Sequence, residues 1–260
     1  MLAPNLLFRN FIGKGKMVSK LLVPIKRSGD APPVFFVPSA GTTALSLVHL
    51  ARSLKNPHPI YAFEFTELPI DDERPVTVEQ LASLCINEIR SVQADGPYFV
   101  GGHCWGGVVA FEIAARLEAT GDKVARLLLL ESVPPSGSEV IADDKRLLNR
   151  TEIAAAVSDQ CEQMRENLSR LPAEIADRFG SLSWELIDVA SHYRANRISA
   201  RLLLIRTPSY SNAVFQNWNH LTSGSVEEHI IPGDAFSILA APGVKAVGDR
   251  LDEALRNEKD

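Results

Sequence analysis

The stretch that most narrows what this chain can become is YFVGGHCWGGVVAF, residues 98–111. Tyr98, Phe99 and Val100 are aromatic or β-branched, as in a short buried strand. Gly101, Gly102, His103, Cys104, Trp105, Gly106 and Gly107 follow. Val108, Ala110, Phe111, Ile113, Ala114 and Leu117 then recur with helical period. Strand, glycine-rich corner and helix form the setting of a nucleophile elbow, G-x-S-x-G. Here it reads Gly102-His103-Cys104-Trp105-Gly106, with a thiol in place of the hydroxyl. A side chain thrust from so sharp a turn takes strained backbone angles, and its neighbours two residues away must be small. Cys104 would open the helix, where unpaired N–H groups favour a thiolate. The same five residues also describe a tight turn around a buried structural cysteine, so the rest of the chain must decide.

The flanking pattern supplies a sheet for such an elbow. Leu21–Ile25 reads as an edge strand and Val34–Val37 as a central one, apolar on both faces. Pro38 to Thr42 ends that strand, and a helix follows through Leu45, Leu47, Val48, Leu50 and Leu54. Ile60–Phe65 is a third strand. Thr77, with Gln80 three residues on, starts a helix to Gln93 by a capping box; Cys85 there is a small core residue. After the elbow helix, Arg126–Leu130 and Leu202–Ile205 read as strands. A helix lies around Phe215 to Leu221, Val226–Ile231 is a last strand, and Val244–Leu255 a closing helix. Strands alternating with helices predict an α/β fold with a mostly parallel central sheet flanked by helices. The alternation breaks at Pro134-Pro135. Residues 138 to about 185 are charged, helical and without a strand candidate, which predicts a helical lid inserted over the site or an extra helical layer. A helix from Leu186 to Ala195 resumes the main pattern.

A chain of 260 residues is expected to form one α/β domain with an insertion. A net charge of −5 gives no support to nucleic-acid binding, and no apolar run reaches membrane-spanning length. Cys85, Cys104 and Cys161 are odd in number and scattered, which argues against a disulfide framework and for a reducing, cytoplasmic setting. No Cys/His spacing suggests zinc. Residues 1–29 hold no acid but carry Arg9, Lys14, Lys16, Lys20, Lys26 and Arg27. Residues 1–20 read as an N-terminal arm or linker; a transit peptide and a docking surface for an acidic partner are the sharper alternatives. Residues 21–260 are then the domain.

On these residues the sequence resembles the thioesterase domains of nonribosomal peptide and polyketide synthetases, an α/β-hydrolase family of secondary-metabolite biosynthesis. The similarity runs through LLVPIKRSGDAPPVFFVPSAG (21–41), HPIYAFE (58–64), SVQADGPYFVGGHCWGGVVAFEIAARL (91–117), VARLLLLESVPP (124–135) and IPGDAFSIL (231–239). The resemblance implies an α/β-hydrolase fold and no bound cofactor. It implies an acyl or peptidyl thioester substrate presented on the phosphopantetheine of a carrier protein. The family's nucleophile falls on Cys104, where serine is usual, and its acid on Glu131, where aspartate is usual. Its oxyanion hole falls on main-chain N–H groups of Trp105 and the Ser39-Ala40 turn. Its histidine position, in Gly233-Asp234-Ala235-Phe236, is occupied by Ala235.

That alanine shapes the expected chemistry. In a serine triad the imidazole takes the hydroxyl proton and later activates water. A thiol depends on it less, since a pKa of about 8.5 already leaves some thiolate at neutral pH. Acylation of Cys104 is therefore expected to survive, whereas deacylation lacks a base and should stall. Ala235 fits either an engineered His-to-Ala trap or a natural loss with another base recruited. His49, His58, His103, His192, His220 and His229 are the histidines available, with His103 expected to point away from the nucleophile and His229 to be structural. Three functions remain open: release of an acyl chain by hydrolysis or cyclisation, transfer to an external amine or alcohol, and non-catalytic binding of acyl carriers.

Overall fold

The computed structural model describes residues 21–66, 77–135, 173–208, 215, 217–234 and 237–256. The N-terminal arm, most of the expected lid, Cys161 and Ala235 lie outside the described residues. The strands are β1 (Leu22–Lys26), β2 (Val34–Val37), β3 (Ile60–Phe63), β4 (Tyr98–His103), β5 (Val124–Leu130), β6 (Arg201–Arg206) and β7 (Val226–Ile230). Among the described residues they form one sheet in the order β1-β3-β2-β4-β5-β6-β7. β1 lies antiparallel on β3, and every other neighbouring pair is parallel.

The helices are α1 (Val48–Ser53), α2 (Val78–Val92), α3 (Gly106–Ala119), α4 (Ala173–His192), α5 (Trp218–Leu221) and α6 (Gly243–Arg256). They cover the two faces of the sheet, which is why β2 and β5 are buried at every residue. On one face α2, α3 and α5 pack with Leu186 of α4 and Tyr193 just beyond it. There the Phe111 and Trp218 rings stand 5.5 Å apart. On the other face α1 and α6 pack with Phe36, Phe99, Leu128 and Leu203. Thr77 caps α2 as its sequence predicts: the Gln80 N–H donates to Thr77 Oγ1 at 3.2 Å and the Thr77 N–H to Gln80 Oε1 at 3.0 Å. The apolar side of α2, Leu81, Cys85 and Ile89, is buried, and each of the two large aliphatic side chains stabilises the fold by about 1.5–3 kcal/mol.

Two elements run further than the sequence pattern suggests. β4 continues past Val100 through both glycines to His103, held in register by Phe36 and Val37 on one side and Leu128 to Leu130 on the other. The reason is steric: a Cβ on Gly101 would lie 2.3 Å from the Phe36 ring. The helix expected from Leu186 is the end of α4, which is described from Ala173 onward and crosses the expected C-terminal border of the lid unbroken. Its charged start, Glu174, Asp177 and Arg178, reads in sequence as a separate layer. Backbone hydrogen bonding is indifferent to those charges, and the one glycine, Gly180, costs a helix only about 1 kcal/mol.

Candidate active site

Cys104 stands between the last residue of β4 and the first of α3, at φ +52°. A non-glycine residue in the left-handed region carries strain that its surroundings must over-determine. They do so here from three sides. The Cys104 N–H donates to Leu130 O at 2.8 Å, continuing the β4–β5 ladder. Its carbonyl accepts the Gly107 N–H at 3.1 Å, and the Trp105 carbonyl accepts that of Val108 at 3.0 Å, so the helix starts at the turn itself. The glycines let the backbones meet: a Cβ on Gly102 would lie 2.3 Å from Gly106 O, and one on Gly106 would lie 2.4 Å from Val37 O and Pro38 O. One on Gly107 would lie 2.0 Å from Ser132 Oγ. The expected elbow is therefore the observed local geometry, and Cys104 is 8% exposed at its tip.

The contact of Gly106 with Val37 and Pro38 seats α3 against the end of β2. It brings the Ser39-Ala40 turn beside Trp105. That turn is buried and closed by Thr42, whose N–H and hydroxyl both donate to Ser39 O, at 3.1 and 2.8 Å. The N–H groups of Trp105 and Gly106 precede the first hydrogen bonds of the helix. Trp105 and the Ser39-Ala40 turn, from which the expected main-chain donors come, thus belong to adjoining segments. The Trp105 side chain has a further partner. Its indole N–H donates to Leu186 O in α4, and its ring meets Phe65 edge-on at 6.1 Å.

Glu131 follows β5 as Cys104 follows β4, and it too is left-handed, at φ +50°. Its N–H donates to Ile205 O at 2.8 Å, and its Oε1 accepts the Thr207 N–H at the end of β6. The next residue, Ser132, lies under Gly107 and donates to Gly102 O at 3.3 Å, so acid turn and elbow are one packed unit. Trp218 Nε1 donates to Ser132 O at 2.8 Å from behind. Burial pushes the Glu131 carboxyl up to about 7. The Thr207 hydrogen bonds and the Arg206 guanidinium oppose that rise, and the Asp234 carboxylate adds to it.

Asp234 therefore faces the acid across the turn after β7. Its own work is local: Oδ1 accepts the Ser237 N–H at 3.0 Å, while its N–H donates to Ser237 Oγ at 2.8 Å. Position 235, next in the chain, lies outside the described residues. Of the histidines weighed as substitutes, His58 sits at the opposite end of the strands with Nδ1 2.6 Å from Pro32 O. His229 Nε2 is 2.8 Å from Glu227 Oε1 on β7. His192 Nδ1 is 2.9 Å from Asp188 O within α4. His103 is buried, and strand alternation turns it to the sheet face away from α3. Sequence reasoning did not single out Thr207, Arg206 or Ser132; a charged residue closing an otherwise apolar strand, Leu202-Leu203-Leu204-Ile205-Arg206, was the available signal for one of them.

Among the described residues no group of three or more His, Cys, Asp or Glu is disposed to hold a metal ion, and no helix is long and apolar enough to cross a membrane. The thioesterase domain family model matches residues 32–255. A probable nonribosomal peptide synthetase of Salinispora arenicola, CymA, is 28% identical over 91% of this chain, which spans 3% of that protein. The atromentin synthetase of Tapinella panuoides is 35% identical over 44% of this chain and 12% of its own length. This chain thus corresponds to a small part of those relatives. Among solved structures, the Vlm2 thioesterase domain bound with a dodecadepsipeptide is 28% identical, with a TM-score of 0.66, covering 90% of this chain and 97% of that one. The NocB thioesterase domain, at 20% identity and TM-score 0.72 over 92% of this chain and 100% of that one, shares the fold. With its family model matched from residue 32 to 255 on an α/β-hydrolase fold, the chain belongs to the thioesterase domain family.

Proposed function

We propose that this chain releases an acyl or peptidyl group from the phosphopantetheine thioester of a carrier protein, by hydrolysis or cyclisation, through an acyl-enzyme on Cys104. The observation that carries the reading is the strained Cys104 at the head of α3, with three glycine contacts that accept no side chain. A thiolate there attacks the thioester carbonyl. The oxyanion is met by the main-chain N–H of Trp105 and by one from the Ser39-Ala40 turn. Collapse expels the phosphopantetheine thiolate, which takes a proton, and leaves a thioester on Cys104. Because one thioester replaces another, the acyl group keeps its reactivity, which suits ring closure as well as hydrolysis. The residues that line up for this need no cofactor. The setting that fits is a reducing, cytoplasmic one, with the carrier protein as partner.

The second half-reaction is where this chain departs from its family. On this reading Glu131 serves to orient an imidazole, and the residue at position 235 is an alanine, which has none. Discharge of Cys104 is therefore slow, and the acyl group is retained. The test follows release from a carrier-bound substrate in the parent chain and in Ala235→His. Restoring the base is expected to raise release by about 10²–10⁴-fold, the usual worth of a positioned general base. Equal rates in the two proteins would overturn the reading. Label passed to an added amine or alcohol instead of water would favour an acyltransferase. Tight carrier binding with no label on Cys104 would leave a binding domain.

A further inference from the structure

Arg206 is the last residue of β6 and is 1% exposed. A guanidinium so buried is retained only where its donors are used. Its Nε donates to Glu228 Oε1 on β7 at 2.5 Å, and its Nη1 donates to Thr207 O at 3.2 Å. Its Cζ lies 5.0 Å from the centre of the Phe215 ring. The Arg206 carbonyl accepts the Ile231 N–H at 2.8 Å, which completes the β6–β7 ladder around it. Every one of these contacts fixes the ribbon 205–207. The same ribbon receives Glu131: Ile205 takes its N–H and Thr207 grips its carboxylate.

We propose that Arg206 is a positioning residue for the acid of this site: its guanidinium holds the carbonyl of Thr207, the residue whose N–H docks the Glu131 carboxylate, and sets a buried positive charge beside that dock. The inference rests on the reading of Glu131 as the acid of a thioesterase site. The Thr207 hydrogen bonds also favour the ionised carboxylate, and the guanidinium adds a full charge to them. Asp234, in the turn after β7, is a like charge and opposes ionisation. Glu228 meets the site only through Arg206, and partly neutralises it. Cys104 flanks the acid across the β4–β5 pair and would be a second anion when ionised. Loss of the guanidinium charge would shift the buried carboxyl further towards its protonated form.

The test reads the carboxyl itself, without substrate, by NMR titration of protein labelled with ¹³C at the glutamate carboxyls; Glu131→Gln assigns the signal. Arg206→Met is expected to raise the Glu131 midpoint by about one unit or more, and Arg206→Lys to recover most of the shift. Glu228→Gln, at a half-exposed partner, leaves the guanidinium less neutralised and should move the midpoint down. Opposite movements in the two variants are the signature of a charge acting on Glu131, since a general loosening of the β6–β7 edge would move both the same way. Midpoints that stay put, or shift together, overturn the proposal. Should Arg206→Met fail to fold, Arg206→Lys and Glu228→Gln decide it by the same signs. In the Ala235→His background, Arg206→Met should lower kcat at pH 7 by up to about tenfold, as the ionised fraction falls, with KM unchanged. Absence of acylation on Cys104 would sink the functional reading and leave the titration result standing; an unmoved midpoint would sink only the role of Arg206.

Discussion

Among the described residues, two non-glycine residues lie in the left-handed region, one after each of two adjacent parallel strands, and they are held there in different ways. Cys104 is fixed by what is missing around it. Backbone at Gly102 and Gly106, and the Ser132 side chain at Gly107, come within 2.4 Å of where a side chain would begin, so steric fit adds to the hydrogen bonds that lock the turn. Glu131 is fixed by what reaches it: the Thr207 N–H, the Ile205 carbonyl and the Arg206 charge, all contributed by a strand about 75 residues downstream. The nucleophile's support is chiefly steric, and the acid's is chiefly electrostatic. The first should fail abruptly on any added atom, and the second should drift with pH.

The largest effect is expected where steric fit is tightest. Gly106→Ala sets a Cβ 2.4 Å from two main-chain oxygens, Val37 O and Pro38 O. The expected loss is on the order of 4 kcal/mol, read by urea unfolding. A cost under ~1 kcal/mol would mean that the elbow relaxes, and the contrast with the acid turn would vanish.

On the acid side, the carboxyl of Glu131 is raised from 4.5 to about 7 in the folded protein. A folded value above the unfolded one means that the folded state binds the proton more tightly. Stability is therefore highest below about pH 4.5, falls as pH rises towards 7, and levels off above. The shift corresponds to ~3 kcal/mol between the two ends. Glu131→Gln keeps an acceptor for Thr207 and removes the charge. It should lose that part of the slope, matching the parent at about pH 4 and exceeding it at about pH 8. Parallel stability profiles for the two proteins would contradict an electrostatic account of this turn.

Smaller effects test what ties these regions to the rest. Trp105→Phe removes the indole donor to Leu186 O and should cost about 1.5 kcal/mol by thermal unfolding, with slower acylation if α4 steadies the elbow. Thr77→Ala, at the exposed α2 cap and remote from both turns, should cost about 1 kcal/mol and leave acylation unchanged. A change in acylation there would show that stability, not local geometry, governs the site.

The same distinction decides what was legible in the sequence. The elbow is written in consecutive residues, and its helix, strand and glycine corner follow from composition and spacing. The alternating strands and the Thr77 cap were equally plain, being local. Glu131 was reached by its place after Val124–Leu130 in a resemblance, not by any pattern of its own. Thr207 and Arg206 were not found, because a hydrogen bond from Thr207 and a buried charge from Arg206 belong to the pairing of β5 with β6, which no window of sequence contains. Residues 173–185 were expected to be helical, and what the pattern did not show is that they run unbroken into the helix from Leu186, because a charged stretch marks a surface and says nothing about where backbone hydrogen bonding stops.

The measurement closest to the central claim is the intact mass of this chain after brief exposure to an acyl-phosphopantetheine thioester. One acyl group is expected to be added, mapped by peptide cleavage to Cys104 and persisting after excess substrate is removed, with none on Cys104→Ala. An unmodified protein, or an acyl group on any other residue, would contradict the account.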